Sequence, residues 1–387
     1  MSSTMNTGRT GVSDDLDQQL AGLLSHLGSQ SGVDHAAMAI ERLDQSTRWL
    51  GAVGTAGPDG APMRVDTPYW IASVTKLYIA ASVFRLVERG EVSLETPITS
   101  LLPDSMTTGI HRLSGIDNAD MITVQHLLGH SSGIPDYLEE SPKGEQALLD
   151  KAGAQDISWS TDDALQIVRQ TLTPHFPPQR LDSGRPRIRY SDTNYQLLIE
   201  IIESVRGQSL SEVFADDFYR PLGLTDTSHP EERDQTLPAA IPRFGSKTFD
   251  RPKAMRSFRD LVSTLTDQST FMRALVSGQV FDKPVTLYQM MGNWKSFPFS
   301  LNPMPTSPGW PIQYGLGAMR FKIPRLMTPI KPVPAIMGHT GVSGSWLFYC
   351  PELNLVLAGT VDQFEAAALP FRFIPRLLRT LSKGLDR

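Results

Sequence analysis

Residues 68–90 read PYWIASVTKLYIAASVFRLVERG and predict a helix that begins beside a serine and a lysine. Apolar residues recur at helical spacing over 73–88, and Gly90 stands where a helix C-cap is expected. Ser73 and Lys76 are three residues apart, so their side chains share one helix face. The lysine can therefore hydrogen-bond the serine hydroxyl and help to draw off its proton, which a serine nucleophile needs.

The setting of this pair separates it from a chance Ser-x-x-Lys match. Trp70, Ile71 and Leu77 make the surrounding segment apolar, so the pair should be partly buried. A buried lysine without a function is uncommon. Because backbone N–H groups at a helix start can also stabilise an oxyanion, the segment indicates nucleophilic catalysis.

Composition excludes several classes of function. The chain has 387 residues, 40% hydrophobic and 20% charged, as in ordinary soluble globular proteins. Its net charge of −5 gives no electrostatic basis for nucleic-acid binding. The single cysteine, Cys350, excludes an intrachain disulfide and a thiolate metal site. His126 and His130 lack the intervening glutamate of a zinc-protease motif, so we expect no metal and no cofactor.

The sequence also bears on location and partners. Segment 1–12 has no basic region followed by an apolar one, and no run reaches the roughly 18 apolar residues of a membrane span. We expect a cytoplasmic enzyme that acts on a small molecule. Basic residues on one face of the C-terminal helix are interpreted as a solvent-exposed face, not a membrane-binding one. The sequence carries no signal for an oligomeric state.

Strand patterns occur at both ends of the chain, and helical patterns dominate the middle. A helix begins after Ser13, which is a good N-cap followed by acidic residues. Strands are predicted at 36–43, 48–53, 345–349 and 353–360. Further helices are predicted at 123–128, 161–172, 193–205, 210–218, 258–276 and 364–383, the last interrupted near Pro370 and Pro375.

This pattern predicts a sheet formed by the two ends of the chain around a helical insert. We predict a flexible tail over 1–13, an α/β sandwich domain from 14–97 and 314–387, and a mostly helical domain with long loops over 98–313. The proline-rich run 297–334 is typical of a cleft wall. Four aromatic residues in and near that run fit either an apolar pocket or local packing: Trp294, Phe297, Phe299 and Trp310.

Two further motifs follow along the chain, Tyr190-Ser191-Asp192 and His339-Thr340-Gly341. With Ser73-Val74-Thr75-Lys76 they resemble the ordered Ser-x-x-Lys, Tyr-x-Asn and Lys/His-Thr-Gly set of the class C β-lactamases and penicillin-binding proteins, which have esterase and D-aminopeptidase relatives. The resemblance spans roughly residues 15–385. Its blocks are IASVTK (71–76), VERG (87–90), HLLGHSSGIPDY (126–137), YSDTNYQLLIEIIE (190–203), PLGLTDT (221–227) and GHTGVSG (338–344).

The resemblance implies an α/β fold of the β-lactamase/transpeptidase type, with an antiparallel sheet flanked by helices and a mostly helical domain. It implies a serine hydrolase in which Ser73 attacks the carbonyl carbon while Lys76 and Tyr190 carry the proton. The backbone N–H groups of Ser73 and Val342 would bind the oxyanion. The residues implied to contact the substrate are Asp192, His339, Thr340 and Gly341.

Two positions depart from the family pattern. Asp192 replaces the usual asparagine, so a negative charge beside Lys76 should keep that lysine protonated and favour Tyr190 as the base. His339 replaces the lysine of true β-lactamases, and a partly cationic histidine is a weaker anchor for a substrate carboxylate. We therefore predict a carboxylic ester hydrolase, and we expect His339→Lys with Asp192→Asn to raise β-lactam turnover relative to ester turnover.

Other interpretations remain open. A D-aminopeptidase or amidase, or a β-lactamase or DD-peptidase of the same fold, would use the same motifs. Gly129-His130-Ser131-Ser132-Gly133 fits the nucleophile elbow of α/β-hydrolases, although Pro135 and Pro142 exclude the long helix that should follow Ser131. A non-catalytic binding protein would keep the pocket and lose the chemistry. Labelling by a fluorophosphonate at Ser73, at Ser131 or at neither would separate these cases.

Overall fold

A computed structural model describes residues 6–182, 184–230, 232, 239–298, 308–328, 332–361, 363–364 and 368–385. Its strands are β1 (Asn6–Thr10), β2 (His35–Arg42), β3 (Arg48–Gly54), β4 (Tyr69–Trp70), β5 (Arg112–Leu113), β6 (Ile116–Asp117), β7 (Arg243–Phe244), β8 (Lys247–Thr248), β9 (Val262–Ser263), β10 (Lys295–Ser296), β11 (Ile312–Tyr314), β12 (Met319–Phe321), β13 (Ile336–Thr340), β14 (Trp346–Cys350) and β15 (Leu355–Thr360).

Its α-helices are α1 (Asp14–Gly28), α2 (Thr75–Glu88), α3 (Asp104–Thr107), α4 (Val124–Leu128), α5 (Leu148–Ala154), α6 (Thr161–Thr171), α7 (Asp192–Arg206), α8 (Leu210–Phe214), α9 (Arg220–Leu222), α10 (Pro252–Phe258), α11 (Leu265–Val276), α12 (Pro284–Met290) and α13 (Leu369–Gly384). Short 3₁₀ turns lie at Ala72–Val74, Ile98–Ser100, Ala119–Met121 and Arg325–Met327, and a π turn lies at Ala215–Tyr219.

One large antiparallel sheet joins the two ends of the chain, in the strand order β1-β3-β2-β15-β14-β13-β12-β11-β10. The N-terminal and C-terminal strands meet where β2 pairs with β15. Every residue of β15 is buried, as expected for a central strand covered on both faces. The predicted sheet built from both ends of the chain is therefore confirmed.

Helices cover both faces of this sheet. Helices α1 and α13 pack together, and α1 lies on β2 and β3, where Leu24 and the Trp49 ring fill the space beside Gly51. Helix α11 lies against β2, β14 and β15, and its Arg273 pairs with Glu41 of β2. Because Trp49 and the neighbouring Arg48, which also pairs with Glu41, project to opposite sides of β3, the two helix layers lie on opposite faces.

The helical part of the chain is built around α7, which contacts α2, α4, α6 and α8. Helix α2 also contacts β13, so it lies between the sheet and the helical part. The starts of α2 and α7 carry Ser73 with Lys76 and Tyr190 with Asp192. The packing of these two helices therefore brings both motifs to one cleft.

The structure differs from the sequence-based expectations at four places. Residues 6–10, assigned to a flexible tail, form β1 and pair with β3. The domain boundary at 313/314 divides the sheet, since β10 and part of β11 precede it, and α11 lies on the sheet although it falls within 98–313. Helix α13 runs through Pro375 without interruption.

The fourth difference lies at 258–276, where the prediction of a single helix is wrong. Arg259 takes a left-handed conformation (φ +60°) that ends α10, and Thr264 caps the start of α11 by accepting a hydrogen bond from the Asp267 N–H. The intervening residues include β9, which pairs with β4 just before Ser73. This break determines where Asp260 lies.

Candidate active site

Ser73 lies in the 3₁₀ turn between β4 and α2. The turn is held on its sheet side, where Ser345 Oγ donates to Ile71 O at 2.7 Å and Ser343 Oγ donates to Trp70 O at 3.3 Å. Ala72 has a φ of +47°, a conformation that a non-glycine residue adopts at a cost. The packing around this turn thus fixes a strained backbone immediately before the serine.

Lys76 is buried beside Ser73, as its spacing predicts. Its Nζ donates to Ser73 Oγ at 3.0 Å and forms an ion pair with Asp192 Oδ1. Burial acts to lower the pKa of Lys76, but the negative charges of Asp192 and Asp260 outweigh it and raise that pKa well above its usual value. Asp192 therefore lies directly beside Lys76, where it favours the ammonium form of the lysine.

Tyr190 completes this group. Lys76 Nζ lies 5.2 Å from the centroid of the Tyr190 ring and 5.4 Å from that of Tyr195. Burial raises the pKa of the Tyr190 phenol well above its usual value, while the charge of Lys76 and hydrogen bonds with Ser73 and Lys76 act in the opposite direction. The phenol is therefore the favoured form, and the charge of Lys76 lowers the cost of forming a phenolate.

The third motif borders the serine from the sheet side. Thr340, Gly341 and Val342 line the same cavity as Ser73. A Cβ on Gly341 would come within 2.8 Å of Ile71 O and of Ala72 Cβ, so only glycine permits this close approach. The residues predicted to supply the oxyanion N–H groups, Ser73 and Val342, therefore border one space.

His339 differs from its prediction. It is fully buried and is not among the described residues that line the cavity. Its Nε2 lies 3.1 Å from Tyr314 Oη and its Nδ1 lies 2.7 Å from Thr340 O. Burial, aided by the charge of Lys76, lowers the pKa of His339 to about 3. The prediction of a partly cationic imidazole is wrong, because this pKa makes His339 neutral at pH 7. In the variant His339→Lys, the new ammonium group would have to be accommodated in a buried position.

The cavity at Ser73 has a volume of about 320 Å³ and two unlike walls. Its apolar wall comes mainly from the later sheet strands and the segment before them, and includes Trp310, Ile312, Met319, Phe321 and Phe371. Of the four aromatic residues considered for this wall, Trp310 lines it, Trp294 stacks on Arg320, and Phe297 packs on Tyr314. Phe299 lies outside the described residues.

The other wall carries charge, of which the sequence analysis had identified only Asp192. Glu139, Asp192, Arg259 and Asp260 line it, and Arg259 is engaged by Glu200 and Glu203. Burial raises the pKa of Asp260 to about 7, and Lys76 opposes this. Asp260 was missed because it falls inside the wrongly predicted helix over 258–276. The cap pattern Thr264-x-x-Asp267 is the signal that would have started that helix later.

The alternative nucleophile does not have the required setting. Ser131 is fully buried, it follows α4 and not a strand, and it is not among the described residues that line the cavity. No group of three or more histidine, cysteine, aspartate or glutamate side chains suited to a metal occurs in the described ranges. Burial raises the pKa of Cys350 to about 11, as expected for an inert thiol. None of the described helices is both long and apolar enough to cross a bilayer.

Known proteins resemble this chain in sequence. A family model described as Beta-lactamase matches residues 21–372. Esterase EstB of Burkholderia gladioli is 32% identical over 172 residues, which are 43% of this chain and 40% of EstB. D-alanyl-D-alanine-carboxypeptidase/endopeptidase AmpH of Escherichia coli (strain K12) is 23% identical over 336 residues, 84% of this chain and 78% of AmpH. The chain thus matches less than half the length of EstB.

Solved structures show the same fold. The D-amino acid amidase from Ochrobactrum anthropi SV3, complexed with D-phenylalanine, superposes with a TM-score of 0.73 at 23% identity, over 96% of this chain and 99% of the amidase. EstCE1, a hydrolase with promiscuous acyltransferase activity, superposes with a TM-score of 0.72 at 19% identity, over 95% of this chain and all of EstCE1.

Proposed function

This chain belongs to the beta-lactamase family and is a serine hydrolase, and we propose that it hydrolyses carboxylic esters through Ser73, Lys76 and Tyr190. The observation that carries the proposal is the contact of Lys76 Nζ with Ser73 Oγ at 3.0 Å, in a lysine that also pairs with Asp192. This arrangement keeps Lys76 cationic, which suits it to stabilise a Tyr190 phenolate and not to act as a base itself.

In the proposed reaction, Ser73 Oγ attacks the ester carbonyl carbon and its proton passes to the Tyr190 phenolate. The carbonyl oxygen becomes an oxyanion that accepts hydrogen bonds from the backbone N–H groups of Ser73 and Val342. Tyr190 then protonates the departing alkoxide, which leaves as the alcohol and gives an acyl-Ser73 intermediate. Water attacks this intermediate, Tyr190 takes its proton, and the carboxylic acid is released as Ser73 regains its hydrogen.

The charges of the described residues near Ser73 support the proposed preference for esters. An anionic substrate needs a free cation, but among these residues Lys76 is paired with Asp192, Arg259 is paired with Glu200 and Glu203, and buried His339 is neutral. An ester requires only the nucleophile and oxyanion donors. The apolar wall that includes Trp310 and Phe371 suits an apolar acyl or alcohol group. Thr340 and Gly341 lie where they would contact that substrate.

A second candidate is an amidase or aminopeptidase for substrates with a free amine. Asp192, Asp260 and Glu139 on the polar wall would attract a substrate ammonium. Relatives in fold include a D-amino acid amidase. This candidate uses the same nucleophile, so the two differ only in the substrate.

Both candidates are tested by assaying p-nitrophenyl esters of graded acyl length, D-amino-acid p-nitroanilides and nitrocefin with one enzyme preparation. We expect clear turnover of short or medium esters and little turnover of nitrocefin. A higher kcat/KM for the anilides than for every ester would favour the second candidate. Robust nitrocefin hydrolysis would contradict both.

A further inference from the structure

The segment 130–136 (HSSGIPD) includes all of the rejected elbow motif except its first glycine, and the proposed chemistry does not use it. We call it the cradle segment because it binds the chain around Tyr190 on both sides. On the near side the Arg189 N–H donates to His130 O at 2.9 Å, and on the far side the Asp192 N–H donates to Asp136 Oδ2 at 3.0 Å. Three more bonds join it to the residues after Tyr190: Ser191 Oγ and Thr193 Oγ1 donate to Pro135 O at 3.0 and 2.7 Å, and Ser132 Oγ donates to Asn194 Oδ1 at 2.6 Å.

Within the cradle segment, the His130 ring packs against the Tyr190 ring and also bonds the residue that follows Tyr190. The His130 ring centroid lies 4.5 Å from that of Tyr190, and the side chain is fully buried. Its Nδ1 accepts from the Ser191 N–H and from Asn194 Nδ2, each at 3.2 Å. The imidazole therefore fixes the peptide that follows Tyr190 and packs against the phenol ring itself.

The hydrogen bonds also fix the protonation of His130. Because Nδ1 accepts two N–H groups, the ring proton must be on Nε2, which has no hydrogen-bond partner among the described residues. Burial lowers the pKa of His130 well below its usual value, and the positive charge of Lys76 lowers it further. The groups that face the ring from the neighbouring elements are Tyr190, Tyr195, Tyr314, Asn194 and Lys76. Only the tyrosine phenols among these groups can become anions, and burial raises the pKa of Tyr190, Tyr195 and Tyr314 above the usual value, so they do not favour an imidazolium in the resting site.

We propose that His130, as a neutral imidazole protonated on Nε2, is the positioning residue that holds Tyr190 against Ser73 and Lys76. This inference rests on the proposed role of Tyr190 as the base. It also gives the G-x-S-x-G motif a function that does not involve Ser131. Ser131 Oγ has no hydrogen-bond partner in the described part of the chain, whereas the residues on either side of it bond to the Tyr190 region.

Two variants separate the ring from the hydrogen-bond acceptor. His130→Phe keeps a ring against Tyr190 but leaves the Ser191 N–H without its acceptor. His130→Asn keeps an acceptor, and asparagine tolerates the left-handed backbone of this position (φ +53°). Since a misplaced catalytic group lowers the rate of the chemical step more than substrate binding, we expect His130→Phe to lower kcat about tenfold to a hundredfold with KM within twofold. We expect His130→Asn to recover part of that loss.

The matched controls are His35→Phe and His35→Asn. His35 is also buried and bonds a backbone group, its Nδ1 lying 2.7 Å from Thr55 O, but it starts β2 away from the cavity. These variants should lose stability with kcat within twofold of the unsubstituted enzyme. Unchanged kcat in both His130 variants, or a fall in kcat equal to that of the His35 variants at equal loss of stability, would overturn the proposal.

The rate of Ser73 labelling by a fluorophosphonate gives the same comparison whichever acyl substrate the enzyme prefers. If ester hydrolysis fails in the unsubstituted enzyme but His130→Phe still slows labelling about tenfold, the substrate assignment fails and the positioning role stands. If neither His130 variant folds, NMR of the unsubstituted protein with ¹⁵N-labelled histidine decides. A proton on Nε2 of His130 from pH 5 to 9 supports the proposal, and a titrating or Nδ1-protonated ring overturns it.

Discussion

Replacing Asp192 by asparagine tests the charge arrangement at the proposed nucleophile. Asp192 pairs with Lys76, whose side chain is only 4% exposed. Removing one partner of a buried ion pair costs about 3–5 kcal/mol. Here asparagine can still accept one hydrogen bond from Lys76, and Asp260 remains near, so we expect a loss of about 1–3 kcal/mol in the free energy of unfolding.

The same substitution should move the pH dependence of activity. Asp192 raises the pKa of both Lys76 and Tyr190, so its loss lowers both. If a Tyr190 phenolate beside a Lys76 ammonium is the active form, the acid and alkaline limbs of kcat/KM both shift to lower pH. Activity at the new optimum should stay within about tenfold of the original, since Asp192 itself transfers no proton in the proposed reaction.

The assay is kcat/KM for a p-nitrophenyl ester from pH 5 to 10, with urea unfolding at pH 8. The matched control is Asp217→Asn, which breaks the buried pairs of Asp217 with Arg85 and Arg206. That control should lose stability and keep its pH profile. Limbs that stay in place or move to higher pH would refute the reasoning. A loss of more than about a hundredfold at every pH would instead make Asp192 the proton acceptor.

Four other changes test separate parts of the site. Ser73→Ala should lower turnover about a thousandfold or more and abolish the acyl adduct seen by intact mass, whereas an adduct that persists in this variant would assign the nucleophile elsewhere. Lys76→Ala and Tyr190→Phe should each cost nearly as much kcat as the double variant, because the two act as one unit; a double defect equal to the product of the single defects would contradict this. His339→Lys buries a cation near Lys76, so urea unfolding should show a loss of about 2 kcal/mol or more; this variant should not gain nitrocefin turnover, and a tenfold gain would restore the original view of His339. Burial raises the pKa of Asp260 to about 7, so the folded state holds a proton that the unfolded state has already lost. The stability that this proton contributes is lost as the pH rises from about 4 through 7. The free energy of unfolding of Asp260→Asn should therefore fall less between pH 5 and 8 than that of the unsubstituted enzyme.

Local signals were sufficient to predict the parts of the fold that depend on nearby residues. Ser13 caps α1, Gly207 ends α7 in a left-handed conformation, and the 36–53 hairpin forms as its alternation indicates. The contact of Ser73 with Lys76 was also predictable, because both lie on one short stretch at helical spacing. These features require no knowledge of distant residues.

The features that were missed depend on tertiary packing. Burial of His339 arises from its contacts with Tyr314 and the strands around it, and no local pattern distinguishes it from a solvated loop histidine. Strand β1 exists because β3 offers a free edge, although its polar sequence resembles a tail. Asp260 reaches the cavity because the chain breaks at Arg259 and pairs β9 with β4. The apolar residues keep helical spacing through that break, so the sequence pattern predicted one continuous helix.

The family motif and its one acidic departure together give a physical basis for the proposed preference for neutral substrates. A lysine as buried as Lys76 needs a counter-charge, and Asp192 supplies it before any substrate binds. A substrate carboxylate would have to compete with Asp192 for the same ammonium and would meet Asp260 on the same wall. A neutral ester meets neither obstacle, because its carbonyl needs only the serine and the backbone donors. The ion pair that makes a buried lysine tolerable therefore also disfavours anionic acyl donors.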